Sequence, residues 1–333
     1  MNDFFTINPL WHEQIGNIYV LLEHVKNSEG ALKDVLQLRR TNRILTIGST
    51  TAIEGNILTI EQVFDVINGK VVFAPLHDIK EVKNAYTAYE QIPNLSPYIV
   101  DDFLKAHSLI TDNLIQESGK FRTVGVAVVN DKKEILHTGV DFKQVPELVN
   151  ELFEWGKKTE IHPLIKSSAI HYMIEHIHPF RDGNGRIGRL WQTLILSKWN
   201  EHFEWLPVET MIYYYQSDYY NSLQQSQYKD GSVDCRPFID FMLNTIERSI
   251  YQYIDSATKI SFGGISGGLS GGLNETEKEI ISLIKENPHI RIFEIAQRLQ
   301  KPVRTIENNI RQLKEKGIVE RIGSKKTGYW TVK

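Results

Sequence analysis

His178-Pro179-Phe180-Arg181-Asp182-Gly183-Asn184-Gly185-Arg186-Ile187-Gly188-Arg189 lies between two amphipathic stretches, and its reading decides the rest of the chain. Pro179 cannot continue a helical hydrogen-bond ladder, so the helix before it ends there. Leu190 to Ser197 supplies the helix that follows. Between them, Gly183, Asn184 and Gly185 offer little bulk, so successive backbone N–H groups can turn toward one point. At a helix N-terminus such a nest, aided by the helix dipole, receives an anion. Arg186 and Arg189, three residues apart, can add charge-assisted bonds to phosphate oxygens. Asp182 beside the nest would repel bare phosphates, which makes sense if it holds Mg²⁺ against them. His178 brings an imidazole suited to taking a hydroxyl proton near neutral pH. A polar turn between packed helices is the plain alternative. A base, a metal carboxylate, a nest and two arginines in one short run argue against it.

Working outward, Ile165, Ala169, Tyr172 and Met173 place a helix before the turn, over Ile165 to Ile177. Val145, Leu148, Val149, Leu152 and Trp155 give another. Further upstream, Thr59 reads as an N-cap with Gln62 three residues on, followed by Val63, Phe64, Val66 and Ile67 and a stop at Asn68-Gly69. One stretch differs. Val124 to Val129 and Glu134 to Thr138 are β-prone runs around Asn130-Asp131-Lys132-Lys133, so a short hairpin is expected.

Downstream, Phe262 to Leu273 repeats a Gly-Gly-apolar unit too glycine-dense to pack as helix or strand, so it reads as a flexible linker. Beyond it the pattern is helix (Thr276 to Glu286, capped by Asn274), helix (Ile292 to Leu299) and helix (from Pro302 to Gly317). A strand, a basic turn at Gly323 to Lys326 and a last strand complete a winged helix-turn-helix. Val303, Ile306, Ile310 and Leu313 should share the apolar face of the third helix. Glu275 to Lys333 carries 13 Lys and Arg against 8 Asp and Glu, a net +5 in a chain of net −3, leaving −8 on the rest. That asymmetry suits an anionic partner, DNA among them, or a solvated surface.

The remaining composition is that of ordinary globular material, with 41% hydrophobic, 24% charged and 10% aromatic residues. No run approaches the roughly 20 apolar residues of a membrane helix, so no membrane partner is expected. The start, Met1-Asn2-Asp3-Phe4-Phe5, lacks a basic segment before an apolar core. The single cysteine, Cys235, cannot form an internal disulfide, and a reducing cytoplasm is the simple expectation.

At His178 to Arg189 the chain resembles the Fic (filamentation induced by cAMP) family, whose pattern H-P-F-x-[DE]-G-N-G-R-x-x-R is matched at every defined position. The resemblance extends through Ile161 to Tyr172, Asp218 to Leu223 and Arg236 to Asp240, over roughly residues 40 to 250. It implies a mainly α fold, a Fic helical core with a β-hairpin flap, here followed by the winged helix-turn-helix. The expected divisions are an N-terminal helical region (1–100), a catalytic core (101–260), the linker (261–273) and the winged module (274–333). It implies a protein adenylyltransferase, in which His178 deprotonates a Ser, Thr or Tyr hydroxyl that attacks the ATP α-phosphorus and expels pyrophosphate. Asp182 would carry Mg²⁺, Gly183, Asn184 and Gly185 would cradle the α and β phosphates, and Arg186 and Arg189 would bind the polyphosphate. The hairpin would dock the target protein as an added strand, with His137 and Thr138 as flap residues. Tyr220 and Gln227 would line the adenine pocket. Kinase-like relatives replace the nest glycines; both are kept here, which favours AMP transfer.

Thr50-x-x-x-Glu54-Gly55, within Ser49 to Asn56, resembles the inhibitory helix found N-terminal to the core in one class of the family. A glutamate on Arg189 would occupy the site that the ATP γ-phosphate needs. The same Glu54 could instead orient water, making the protein a hydrolase that removes AMP. A DNA-binding regulator is the reading from another class, with Arg304, Thr305, Asn308, Asn309 and Arg311 facing DNA and Lys325-Lys326 on the wing. Self-modification and a homodimer stay open. His171, His176 and His178 do not share one helical face, so zinc is not expected. Tyr213 to Tyr215 and Tyr219-Tyr220 read as packing, Tyr220 alone with a functional role.

Overall fold

Apolar residues recurring at helical spacing between glycine and proline stops make the chain mainly helical. The computed structural model describes residues 4–31, 35–129, 135–228, 232–261, 275–299, 301–315, 318–322 and 329–332. Two compact units, Met1–Gly264 and Ile265–Lys333, are taken in turn.

In the first unit α1 (Leu10–Ala31), α2 (Val35–Ile53), α3 (Ile60–Ile67), α4 (Leu76–Glu90) and α5 (Val100–Ile110) precede a hairpin of β1 (Ala127–Val129) and β2 (Ile135–Thr138). Then come α6 (Val145–Lys158), α7 (Pro163–Ile177), α8 (Asn184–Trp199), α9 (Val208–Tyr214), α10 (Gln216–Gln225) and α11 (Arg236–Ser261). The α7–α8 pair is the centre: almost every side chain of α8 from Asn184 to Leu196 is buried, as only a helix enclosed on all sides can be. Neighbouring α2, α5, α6 and α11 pack on the pair. The turn between α7 and α8 is pinned by Phe180, fully buried and 5.2 Å from the ring of Phe103, which in turn meets Trp191 at 4.9 Å. Burying one such ring contributes roughly 1.5–3 kcal/mol, enough to fix where His178 and the nest sit.

Local signals act as read. Thr59 and Gln62 form a reciprocal capping box at the start of α3, and Asn68 caps its end. The hairpin strands are antiparallel, with Ala127 opposite Thr138 and Val128 opposite His137. They are shorter than the β-prone runs, because the Val124 carbonyl is taken by the Arg122 side chain instead of a strand partner. The turn residues Asn130 to Lys133, with Glu134, lie outside the described residues.

The second unit runs α12 (Glu275–Glu286), α13 (Ile292–Arg298), α14 (Val303–Glu315), then β3 (Val319–Ile322) antiparallel to β4 (Tyr329–Val332). Its own core gathers Ile280, Ile284, Ile295, Ile306, Ile310, Leu313 and Trp330. Val303 does not join that face, being 37% exposed at the first turn of α14. Asn308 and Arg311 are exposed, whereas Asn309 is spent on the Thr305 carbonyl at 2.7 Å. The Arg304 side chain, Lys325, Lys326, Asn274 and the linker lie outside the described residues.

Among the tyrosines the packing reading holds for Tyr219, which is buried, and for Tyr213, which is half-buried against the core; Tyr214 and Tyr215 are exposed, on the last turn of α9 and just past it. Among the described residues no helix is long and apolar enough to cross a membrane.

Candidate active site

His178 is the C-cap of α7 and stands in the left-handed region, φ 53 and ψ 61. Pro179 forbids another helical turn, and the left-handed residue swings the chain away from the helix axis. Two buried side chains hold that swing. Arg122 donates to the carbonyls of His178 (2.7 Å), Ile177 (3.3 Å) and Val140 (2.5 Å), and to Val124 at 2.9 Å. One guanidinium thus ties the turn to both feet of the hairpin. His107 lies flat on Phe180, ring centres 3.6 Å apart. Its Nδ1 accepts the Gly119 N–H at 3.0 Å, so Nε2 carries the proton and donates to the Asp182 carbonyl at 2.9 Å. Burial lowers the pKa of His107 to about 4, so it is a neutral brace.

Gly183 caps α8 with φ +84; a Cβ there would be strained and would meet Thr111 at 2.9 Å. Asn184 turns its amide back on the loop, bonding the Phe180 N–H and carbonyl, each at 2.9 Å. Only the Asn184 backbone therefore faces the nest. Asp182 leaves 58% of its side chain exposed and accepts from the Gly183 N–H at 2.6 Å and Arg186 at 3.3 Å. No group of three or more His, Cys, Asp or Glu that could hold a metal exists among the described residues.

Both arginines are engaged, Arg189 from the end of α2 and Arg186 from α4. Arg189, 2% exposed, donates from Nη2 to Glu54 Oε1 at 2.6 Å and from Nε to Thr50 Oγ1 at 3.0 Å. Burial disfavours its charge, but Glu54 and its neighbours hold the guanidinium pKa above its ordinary value. The Glu54 carboxylate lies over Gly185, where any Cβ would strike it. Arg186 pairs with buried Glu81 at 2.5 Å, and Glu81 accepts from Asn56 at 2.7 Å. Gly55, φ +95, ends α2, with the Asn56 N–H on the Thr51 carbonyl at 3.2 Å and the Gly55 N–H on Ala52 at 3.0 Å. This is a Schellman end, and it aims Glu54 and Asn56 in fixed directions.

Tyr220 and Gln216 donate to the Ile53 carbonyl, the last of α2, at 3.4 and 2.9 Å. Tyr220 thus meets the helix that carries Glu54. Gln227 lies past α10, bridged to Val233. Thr138 is exposed on β2; the side chain of His137 is outside the described residues. The sequence reading did not find Arg122, His107, Glu81 or Glu175. Arg122 and His107 act on carbonyls brought near only by folding, and no local pattern marks them.

The Fic/DOC family model matches residues 94–196, and a winged helix-turn-helix DNA-binding model matches 273–320. The protein adenylyltransferase fic-1 of Caenorhabditis briggsae is 28% identical over 84% of this chain and 55% of its own length. The protein adenylyltransferase Fic of Nematostella vectensis is 26% identical over 79% and 65%. The chain therefore spans between half and two thirds of these curated relatives. A solved Fic family protein from Desulfovibrio desulfuricans G20 is 31% identical over 100% of this chain and 98% of that one, with a TM-score of 0.68. A Fic domain containing signaling protein from Bacteroides thetaiotaomicron shares the fold at a TM-score of 0.61 and 22% identity, over 76% of this chain and 100% of that one.

Proposed function

The chain belongs to the Fic family, and we propose that it transfers AMP from ATP to a protein hydroxyl and is braked by its own Glu54. The observation that carries this reading is the Glu54–Arg189 pair at 2.6 Å above the Gly183–Gly185 nest. A carboxylate fills the place where a polyphosphate would sit, and Arg189 is the residue both would want.

On this reading His178 takes the proton of a Ser, Thr or Tyr hydroxyl, whose oxygen attacks the α-phosphorus as pyrophosphate leaves. The nest N–H groups and Arg186 orient the phosphates, and the hairpin receives the target as an added strand. Magnesium fits the exposed carboxylate of Asp182 beside the nest, because the ion takes one or two carboxylates and fills the rest with phosphate oxygens and water. When bound, it would offset charge on the departing pyrophosphate. Glu54 could also orient water against an AMP ester. Incubating the wild type with an AMP-modified target separates the transferase and hydrolase readings. A lone buried Cys235 supports a reducing, cytoplasmic setting for the enzyme.

The proposed divisions remain 1–100, 101–260, 261–273 and 274–333, with the winged module as an accessory. A chain ended at Ser261 is expected to fold, bind ATP and, with Glu54→Gly, transfer AMP, because every chemical motif precedes the linker. Labelling by ATP of the full and shortened proteins checks this, and a folded but inactive short form would make the module part of the catalyst. Residues 274–333 alone are expected to retard duplex DNA in a gel. Retardation should weaken steeply with salt as phosphate contacts are screened. No shift at low salt would favour a protein partner.

A further inference from the structure

The steps above make no use of the Glu175 carboxyl, one turn before His178 on α7. The Tyr219 hydroxyl lies 3.2 Å from Glu175 Oε1 and also 3.2 Å from His171 Nε2. His171 Nδ1 is 2.6 Å from Gln192 Oε1. Gln192 Nε2 donates to Ser168 Oγ at 3.2 Å, and Ser168 donates to the Leu164 carbonyl at 2.8 Å. Counting protons along this chain fixes its direction. Gln192 Oε1 can only accept, so His171 carries its proton on Nδ1. Burial holds the pKa of His171 down at about 3, so the ring is neutral and Nε2 is an acceptor. Tyr219 has one proton to give. If Glu175 receives it, His171 Nε2 is left buried without a donor. If His171 receives it, Glu175 must itself be the donor to Tyr219. Only a neutral Glu175 completes every bond.

We propose that Glu175 holds a proton in the resting protein, and that this proton keeps the charge of Arg189 available to the anion placed on it. That anion is the Glu54 carboxylate at rest and the terminal phosphate of ATP in turnover. Glu175 is thus a positioning residue. The inference rests on the reading that Arg189 receives that phosphate. The groups facing Glu175 are Glu54 at the end of α2, Arg189 on α8, Tyr219 and Tyr220 on α10, and His171 3.9 Å away on its own helix. Burial first, then the like charge of Glu54, raises its pKa to about 7, against the opposing pull of Arg189. Ionised, Glu175 would compete for Arg189 and repel the incoming anion. Anion binding therefore takes up a proton, and affinity falls as pH rises toward the raised pKa, then levels off.

The test is ATP affinity, titrated from about pH 5 to 8, for Glu54→Gly and for Glu54→Gly with Glu175→Gln; one linked proton changes affinity by at most about tenfold per pH unit. Glutamine stands for the protonated acid, so the double variant should hold its affinity while the single variant loses ground against it. Any titration of ATP itself is common to both. A constant ratio across pH overturns the proposal. If Glu54→Gly binds ATP no better than wild type at any pH, the Arg189 reading falls and the proposal with it. Infrared spectra of the wild type give a second readout that does not depend on a variant folding. A protonated-carboxyl C=O stretch that titrates near the raised value of about 7 is expected, and an ionised carboxyl throughout would overturn the assignment.

Discussion

Replacing His178 by alanine is expected to cut AMP transfer from ATP by orders of magnitude and to leave ATP binding in place. The His178 Nδ1 lies 3.3 Å from the Glu175 carbonyl, which can only accept, so the ring proton sits on Nδ1. Nε2 is then the nitrogen with a lone pair, the state a general base requires. The nest itself is built from the Gly183–Gly185 backbone and from two arginines, and the imidazole adds nothing to it. Removing a positioned base slows transfer by roughly 10² to 10⁴-fold. Incorporation of labelled AMP and a parallel ATP titration check the two halves of this expectation. Transfer within a few-fold of wild type would take His178 out of the mechanism.

Replacing Glu54 by glycine is expected to tighten ATP binding, and adding Arg189→Ala is expected to erase the gain. A charge-assisted bond of this kind is worth about 1.5–3 kcal/mol, so releasing Arg189 strengthens ATP binding by roughly ten- to a hundredfold. The two residues touch at 2.6 Å, so their effects must not add. Titrating ATP into wild type, each single variant and the double variant closes the cycle. An additive result would mean that Glu54 and the nucleotide do not compete for Arg189.

Much of this was legible because the chemistry is local. Gly183, Asn184 and Gly185 adjoin one another, and the helix start they cap follows from glycine and proline rules that act within a few residues. The proposed Thr50–Glu54 brake was readable only through its resemblance, since its partner Arg189 lies far along the chain. What escaped notice acts at a distance. Arg122 grips carbonyls of the His178 turn across the hairpin, and Glu81 comes to Arg186 only once α4 packs beside α2. Arg186 read as a bare phosphate ligand, yet in the resting protein it is held by Glu81, which Asn56 holds in turn. In the resting protein both arginines are thus engaged, Arg189 by Glu54 and Arg186 by Glu81. Val303 was read as a core position from its spacing, but a first-turn residue overhangs the end of the packed face, and it is exposed.

On the proposed function Glu54 restrains an otherwise competent AMP-transfer site. Labelled ATP incubated side by side with wild type and Glu54→Gly tests it most directly. AMP incorporation into protein by Glu54→Gly, with little by wild type, is the expected result; equal incorporation by the two proteins would contradict it.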